Sequence, residues 1–357
     1  MKNSFEVIRE KYPGIPDLDL HYYGMKGRGI NDERIKEGRP KFHLIDDSKL
    51  FSVVPLISSQ DSPYRFEKEV LTYKGDELPF RIKNIGRIGR NPAYFYYRGI
   101  QEWMPTLDSE TILSINFQPV CKGCDWCCRE IEKGTRNISP EEGVKILQRE
   151  GVNLTNVDKM TFVTGMYRDG EEVVDNILRT VDLTKKDGFN GRVLYIGAQV
   201  QDPSLVKILI QGLGETPLKY AYTLETFSQR ERMHIKKNGT LEEVLNILEG
   251  IKNAGVDELE YSYMPGLDSM DSFYEWMPKF SRLARPHLSI FRPAEEDQEN
   301  LKDPKFIEDP IEYLCSMRLA FEKEHGGPIY QNNLASLWGF PKERINPLFF
   351  TDKTSLG

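Results

Sequence analysis

With 357 residues, of which 39% are hydrophobic and 29% charged, and with no low-complexity tract, the chain can bury a sizeable core, and this excludes a disordered polymer. Its formal net charge of −7 argues against broad nucleic-acid binding, which needs a basic footprint. No apolar run approaches the roughly 20 residues that cross a bilayer, and the start, MKNSFEVIREKYPG, lacks the apolar stretch of a secretion signal, so a cytoplasmic protein with no membrane partner is expected.

Residues 1–108 read as a small α+β accessory domain. The segments LFSVVPLI and YRFEKEVLTYKGDELPFRIKNIG have the look of hairpins, with Lys74-Gly75-Asp76 as a turn. Arg81, Lys83, Arg87 and Arg90 can meet an anion or line a solvated hairpin face. Tyr94, Tyr96, Tyr97 and Trp103 suit either a pocket wall or a core.

From residue 109, short β-branched runs alternate with helical patterns, the signature of a parallel sheet with crossover helices. Strands are expected at 111–117, 160–165, 192–198, 219–225, 258–264 and 287–293. Helices are expected from Ser139, near 170–187, from Pro203, over 240–255, near 270–284 and near 309–324. Ser139 can cap the first of these, with Pro140 at its first position, and Gly255 can end the fourth. The fold class is therefore α/β: a partial (β/α)6 TIM-like barrel over 109–325, an N-terminal α+β segment and a C-terminal tail, 326–357, packing on the barrel.

Four of the five cysteines fall at 121–128, far too close together to staple a chain of this size with disulfides. Thiolates are soft ligands. Three of them on one loop can hold three irons of a cubane cluster and leave the fourth iron open. The competing reading is a zinc knuckle, whose usual half is Cys-x2-Cys. That site needs a second half, and Cys315 stands alone while the five His are scattered. The cysteine loop also directly follows the first expected barrel strand, and barrel active sites form at the carboxyl ends of strands.

The stretch PVCKGCDWCCRE resembles the signature of the radical S-adenosylmethionine (radical SAM) superfamily, Cys-x3-Cys-x2-Cys with an aromatic before the last Cys. Cys124, Trp126 and Cys127 match its second half, while the first gap, from Cys121, is one residue short. Cys121, Cys124 and Cys127 are the implied [4Fe-4S] ligands, with Cys128 as the alternative third. A second match begins about a hundred residues later, where ETFSQRERMHIKKNGTLEEVL is similar to the family pattern that opens with an acidic residue and carries an Arg on the next turn.

By this resemblance Glu225 and Arg230 contact the ribose, amine or carboxylate of S-adenosyl-L-methionine. Thr164 and Gly165 stand where the family often has Gly-Gly-Glu. YMPGLDS matches the turn after the fifth strand, and Phe291, in IFRP, follows the sixth, where the family passes backbone by the adenine. The implied enzyme cleaves S-adenosylmethionine reductively and abstracts a substrate hydrogen. The outcome would be rearrangement, epimerisation, dehydrogenation or fragmentation of a small metabolite or peptide residue, with ferredoxin or flavodoxin as electron donor. No further Cys cluster supports an auxiliary iron–sulfur site. Cys315 is a candidate hydrogen donor, with a buried packing role as the competing reading. A noncatalytic iron–sulfur or zinc-binding partner protein is the alternative from another class.

Overall fold

The computed structural model describes residues 4–15, 17–32, 39–44, 51–53, 59–67, 70–86, 95–98, 112–115, 139–149, 151–164, 169–228, 239–291 and 300–325. The chain opens with two helices, α1 (Ser4–Lys11) and α2 (Asp17–Arg28). Five strands follow: β1 (Arg39–Leu44), β2 (Phe51–Val53), β3 (Tyr64–Glu67), β4 (Val70–Tyr73) and β5 (Asp76–Gly86). They pair antiparallel in the order β2-β1-β5-β4-β3. The expected turn lies between β4 and β5, where Lys74 (φ 53°) and Gly75 (φ 95°) form a two-residue loop closed by the Tyr73–Asp76 pair. Positive φ at both central residues matches the right-handed twist of the flanking strands.

The second sheet positions the candidate site. Its strands are β6 (Phe95–Arg98), β7 (Ile112–Ile115), β8 (Lys159–Val163), β9 (Arg192–Gly197), β10 (Leu218–Glu225), β11 (Glu258–Tyr263) and β12 (Arg285–Leu288). Pairing runs in chain order from β6 to β12, antiparallel between β6 and β7 and parallel throughout β7–β12. Among the described residues β12 and β7 do not pair, so six parallel strands form an open, partial barrel. β6, from within the first 108 residues, adds itself to the free side of β7.

The crossover helices are α3 (Pro140–Arg149), α4 (Gly170–Lys186), α5 (Pro203–Leu213), α6 (Leu241–Ala254) and α7 (Met270–Ser281); α8 (Pro304–Glu308) and α9 (Pro310–His325) follow β12. Local chemistry sets their starts. Ser139 Oγ accepts from Glu142 N at 3.2 Å, Asp169 and Asp202 cap α4 and α5, and Thr240 forms a capping box with Glu243 on α6. Gly255 closes α6 in the left-handed conformation, as expected. The last strand departs from expectation: β12 begins at Arg285 and ends at Leu288, although backbone contacts continue through Ser289 and Phe291.

Strand alternation divides the core. Val193, Tyr195, Tyr220, Tyr222, Tyr261 and Tyr263 join the main apolar core with the crossover helices. Leu194, Ile196, Ala221 and Val163 form a separate cluster on the opposite, concave face. Toward the amino ends of the strands that face carries charge. Lys219 Nζ lies 2.9 Å from Glu260 Oε1 and 3.0 Å from Glu258 Oε2, and His287 Nδ1 is 3.4 Å from Glu260 Oε2. Burial alone would push the Glu258 carboxyl up, but the Lys219 ammonium outweighs it and holds the group below its ordinary value.

The first helices lean on the last. Arg318 of α9 donates to Tyr23 Oη at 3.3 Å, and Tyr12 Oη donates to Glu312 at 2.6 Å. His21 on α2 is buried beside Phe5, stacked at 4.2 Å, and edge-on to Tyr73. Burial holds its imidazole down at about 4, from an ordinary 6.5. The unfolded chain therefore takes up a proton below pH 6.5 that the folded protein refuses. The stability that this neutral His carries is fully present above pH 6.5 and falls as pH drops toward 4, by about 3 kcal/mol. Urea unfolding of the wild type and of His21→Phe at pH 7 and pH 4 checks this: the wild type should lose about 3 kcal/mol more than the variant. Equal losses would show that water reaches the ring.

Candidate functional site

Three of the residues singled out in the sequence lie on the carboxyl side of this sheet: Thr164 directly after β8, Glu225 at the end of β10 and Phe291 beyond β12. By sequence Cys121, Cys124, Trp126, Cys127 and Cys128 belong to the connection leaving the carboxyl end of β7. They lie outside the described residues, as do Gly165 and Arg230.

Thr164 follows β8 and is buried. Its N–H donates to Ile196 O at 2.9 Å, continuing the sheet, and its hydroxyl donates to Gln199 Oε1 at 2.6 Å and meets Tyr195 Oη at 3.1 Å. Gly197 makes this approach possible, since a Cβ there would stand 2.1 Å from Thr164 Oγ1 and 2.4 Å from Tyr195 Oη. The same tyrosine hydroxyl accepts from Gln199 N and Val200 N, and Tyr220 Oη donates to Val200 O at 2.8 Å. Core tyrosines thus pin the turn after β9 from beneath. Burial raises the pKa of both phenols, so they stay neutral hydrogen-bonding groups. Sequence reasoning missed Gln199, whose only signal is a polar residue after the small-residue strand end IGA.

Glu225 ends β10 in an uncommon conformation. Its φ is +77°, and Thr226 N donates back to Leu224 O at 3.1 Å, a γ-turn of the rarer, strained kind. Such a position costs about 1–3 kcal/mol and persists only where the surroundings over-determine it. The sheet register shifts here between Thr223 and Glu225, and Met264 N donates to Glu225 O at 2.8 Å. Asp268, in the turn after β11, accepts four hydrogen bonds from the three residues that follow Glu225. The sequence marked the turn YMPGLDS but not this link, because a contact between two strand ends has no local signature.

That turn is itself anchored. Gly266 N and Asp268 O both bond the Tyr313 hydroxyl, and Asp303 N donates to Gly266 O. Phe291 N donates to Pro265 O at 2.8 Å. Phe291 and Leu267, with Met264 and Leu301 packed against them, form a small apolar cluster apart from the main core. The described strand ends therefore offer a half-buried carboxylate on a fixed turn beside an apolar shelf. Such a pair suits a ligand with a hydroxyl- or ammonium-bearing part and a flat apolar part.

Cys315 is fully buried in α9 within the main apolar core, among Leu314, Met317 and Phe321, because α9 packs between α2 and α7. That placement supports the packing reading of the thiol.

No family model and no curated protein matches the chain. Among solved structures it is similar to a maturase of the [FeFe]-hydrogenase, HydG, at 15% identity and TM-score 0.43, over 59% of this chain and 50% of that one. HydG from Carboxydothermus hydrogenoformans matches at 13% identity over 59% and 52% of the two chains, with the same TM-score of 0.43. Coproporphyrinogen III oxidase HemN from Escherichia coli, described as a radical SAM enzyme, matches at 12% identity over 60% and 52%, also at 0.43. The chain spans about half the length of each of these three solved structures. Its own six parallel strands, joined in sequence order by crossover helices and, among the described residues, left open between the first and the last, form the α/β partial barrel that the resemblance to the radical SAM superfamily implies.

Proposed function

We propose that the chain is a radical SAM enzyme. The observation that carries this reading is the coincidence of two independent features on one parallel sheet. The cysteine-bearing connection leaves the carboxyl end of β7, and Glu225, three strands further on, is held in a strained turn at the carboxyl end of β10.

In this reading Cys121, Cys124 and Cys127 hold a [4Fe-4S] cluster, with Trp126 beside the last of them. Glu225 accepts hydrogen bonds from the ribose hydroxyls or the ammonium of S-adenosylmethionine. The Arg230 guanidinium forks onto a carboxylate of the same ligand. Met264, Leu267 and Phe291 cover an apolar face of it and keep water away. Thr164 and Gly165 are assigned to the methionyl amine of the ligand by the motif. Cluster and S-adenosylmethionine together supply one-electron chemistry that begins with removal of a substrate hydrogen atom. The substrate is a small metabolite or a peptide residue, and a ferredoxin- or flavodoxin-type protein supplies the electron.

Titration of the anaerobically reconstituted protein with S-adenosylmethionine tests this. Binding should perturb the electron paramagnetic resonance spectrum of the reduced cluster. Glu225→Ala and Arg230→Ala should each weaken binding by about 1.5–3 kcal/mol, roughly 10- to 150-fold. A cluster spectrum indifferent to S-adenosylmethionine would instead fit a noncatalytic iron–sulfur carrier.

A further inference from the structure

Asp268 is fully buried, and its carboxylate accepts four hydrogen bonds from residues 226–228 and also lies beside the Tyr263 hydroxyl. Oδ1 takes the Thr226 hydroxyl at 2.5 Å, the Ser228 amide at 2.8 Å and the Ser228 hydroxyl at 2.7 Å; Oδ2 takes the Phe227 amide at 2.7 Å. A buried carboxylate is costly unless its oxygens are satisfied, and a well-packed apolar side chain would hold two turns together at least as well. What a carboxylate does that an apolar side chain cannot is fix direction. Its donors are the three residues directly after the positive-φ Glu225, so they determine how the chain leaves that γ-turn. Asp268 is fixed in turn from the other side, since the Tyr313 hydroxyl donates to its carbonyl at 2.7 Å.

We propose that Asp268 is a positioning residue that acts through Glu225: it holds the strained turn so that the Glu225 carboxylate is pre-set for its ligand before the ligand arrives. This rests on the reading of Glu225 as a contact for S-adenosylmethionine. Asp268→Asn keeps the shape but puts an NH2 group against hydroxyl and amide donors, which breaks at least one of the four bonds and loosens the turn.

The test is a double-mutant cycle on the reconstituted full chain, read by equilibrium binding of S-adenosylmethionine and by iron content. Asp268→Asn should weaken binding at least about tenfold while iron content is kept, and in a Glu225→Ala background it should cause no further loss. Thr226→Val with Ser228→Ala, which removes two hydroxyl donors and spares the carboxylate, should show the same dependence on Glu225 and decides the matter if Asp268→Asn does not fold. Losses that multiply with that of Glu225→Ala would assign Asp268 a general structural role and overturn the proposal. So would unchanged binding in the Asp268 and hydroxyl variants alongside a weakened Glu225→Ala, a result that leaves the nucleotide role of Glu225 standing. Unchanged binding in Glu225→Ala itself would remove that role and this inference with it.

Discussion

Replacing Cys121, Cys124 or Cys127 with Ala should take the anaerobically reconstituted protein from about four irons per chain to well under one, with loss of the cluster absorbance. In the proposed ligand set three thiolates from one short loop hold such a cubane, and Cys128 is the one neighbouring thiol in that loop that could stand in for a lost ligand. Cys128→Ala separates the two ligand sets. If Cys127 is the third ligand, Cys128→Ala retains its iron. If instead Cys128→Ala loses the cluster and Cys127→Ala keeps it, the set is Cys-x2-Cys-x3-Cys. Wild-type protein carrying one zinc and no iron would end the radical SAM reading altogether, since zinc has no redox chemistry and cannot pass on the electron that this chemistry needs.

Lys219→Met should destabilise the fold by about 3–5 kcal/mol, measured by urea unfolding at pH 7. Lys219 is only 4% exposed and Glu260 1%, and their charged atoms lie 2.9 Å apart on the concave face of the sheet. Removing the ammonium takes the nearest charge away from a buried carboxylate and leaves it only the longer contact with His287 among the described residues, and the uncompensated desolvation supplies most of the loss. Adding Glu260→Gln to Lys219→Met should recover at least about half of it, because the stranded charge is then gone. A loss below about 1 kcal/mol in the single variant would mean that the pair behaves as a surface salt bridge. The pair closes the end of the sheet away from the candidate site, so its removal should lower stability without a specific effect on ligand binding.

Much of the barrel was legible in the sequence because its signals are local. Periodic apolar residues with Ser139 and Gly255 at helix ends mark where crossover helices start and stop, and β-branched runs mark the strands between them. The last strand is the exception. HLSIFRP reads as a strand to 293, yet among the described residues regular pairing stops at Leu288: Ser289 N still bonds Tyr263 O at the end of β11, and Phe291 N bonds Pro265 O in the turn after it.

The cysteine spacing and the order of motifs after successive strands also belong to the sequence alone, since a ligand loop carries its chemistry in a few adjacent residues. What only the tertiary structure decided is how the strand ends act on one another. The positive φ at Glu225, the reach of Asp268 across some forty residues to the turn behind it, the Thr164–Tyr195–Gln199 network closed over Gly197, and the burial of Cys315 between α9 and its neighbours all depend on contacts between segments distant in the chain. The physical reason is the same in each case. A cap or a turn is satisfied by atoms within four residues, whereas a buried carboxylate or hydroxyl takes its partners from whichever strand end the sheet register sets beside it.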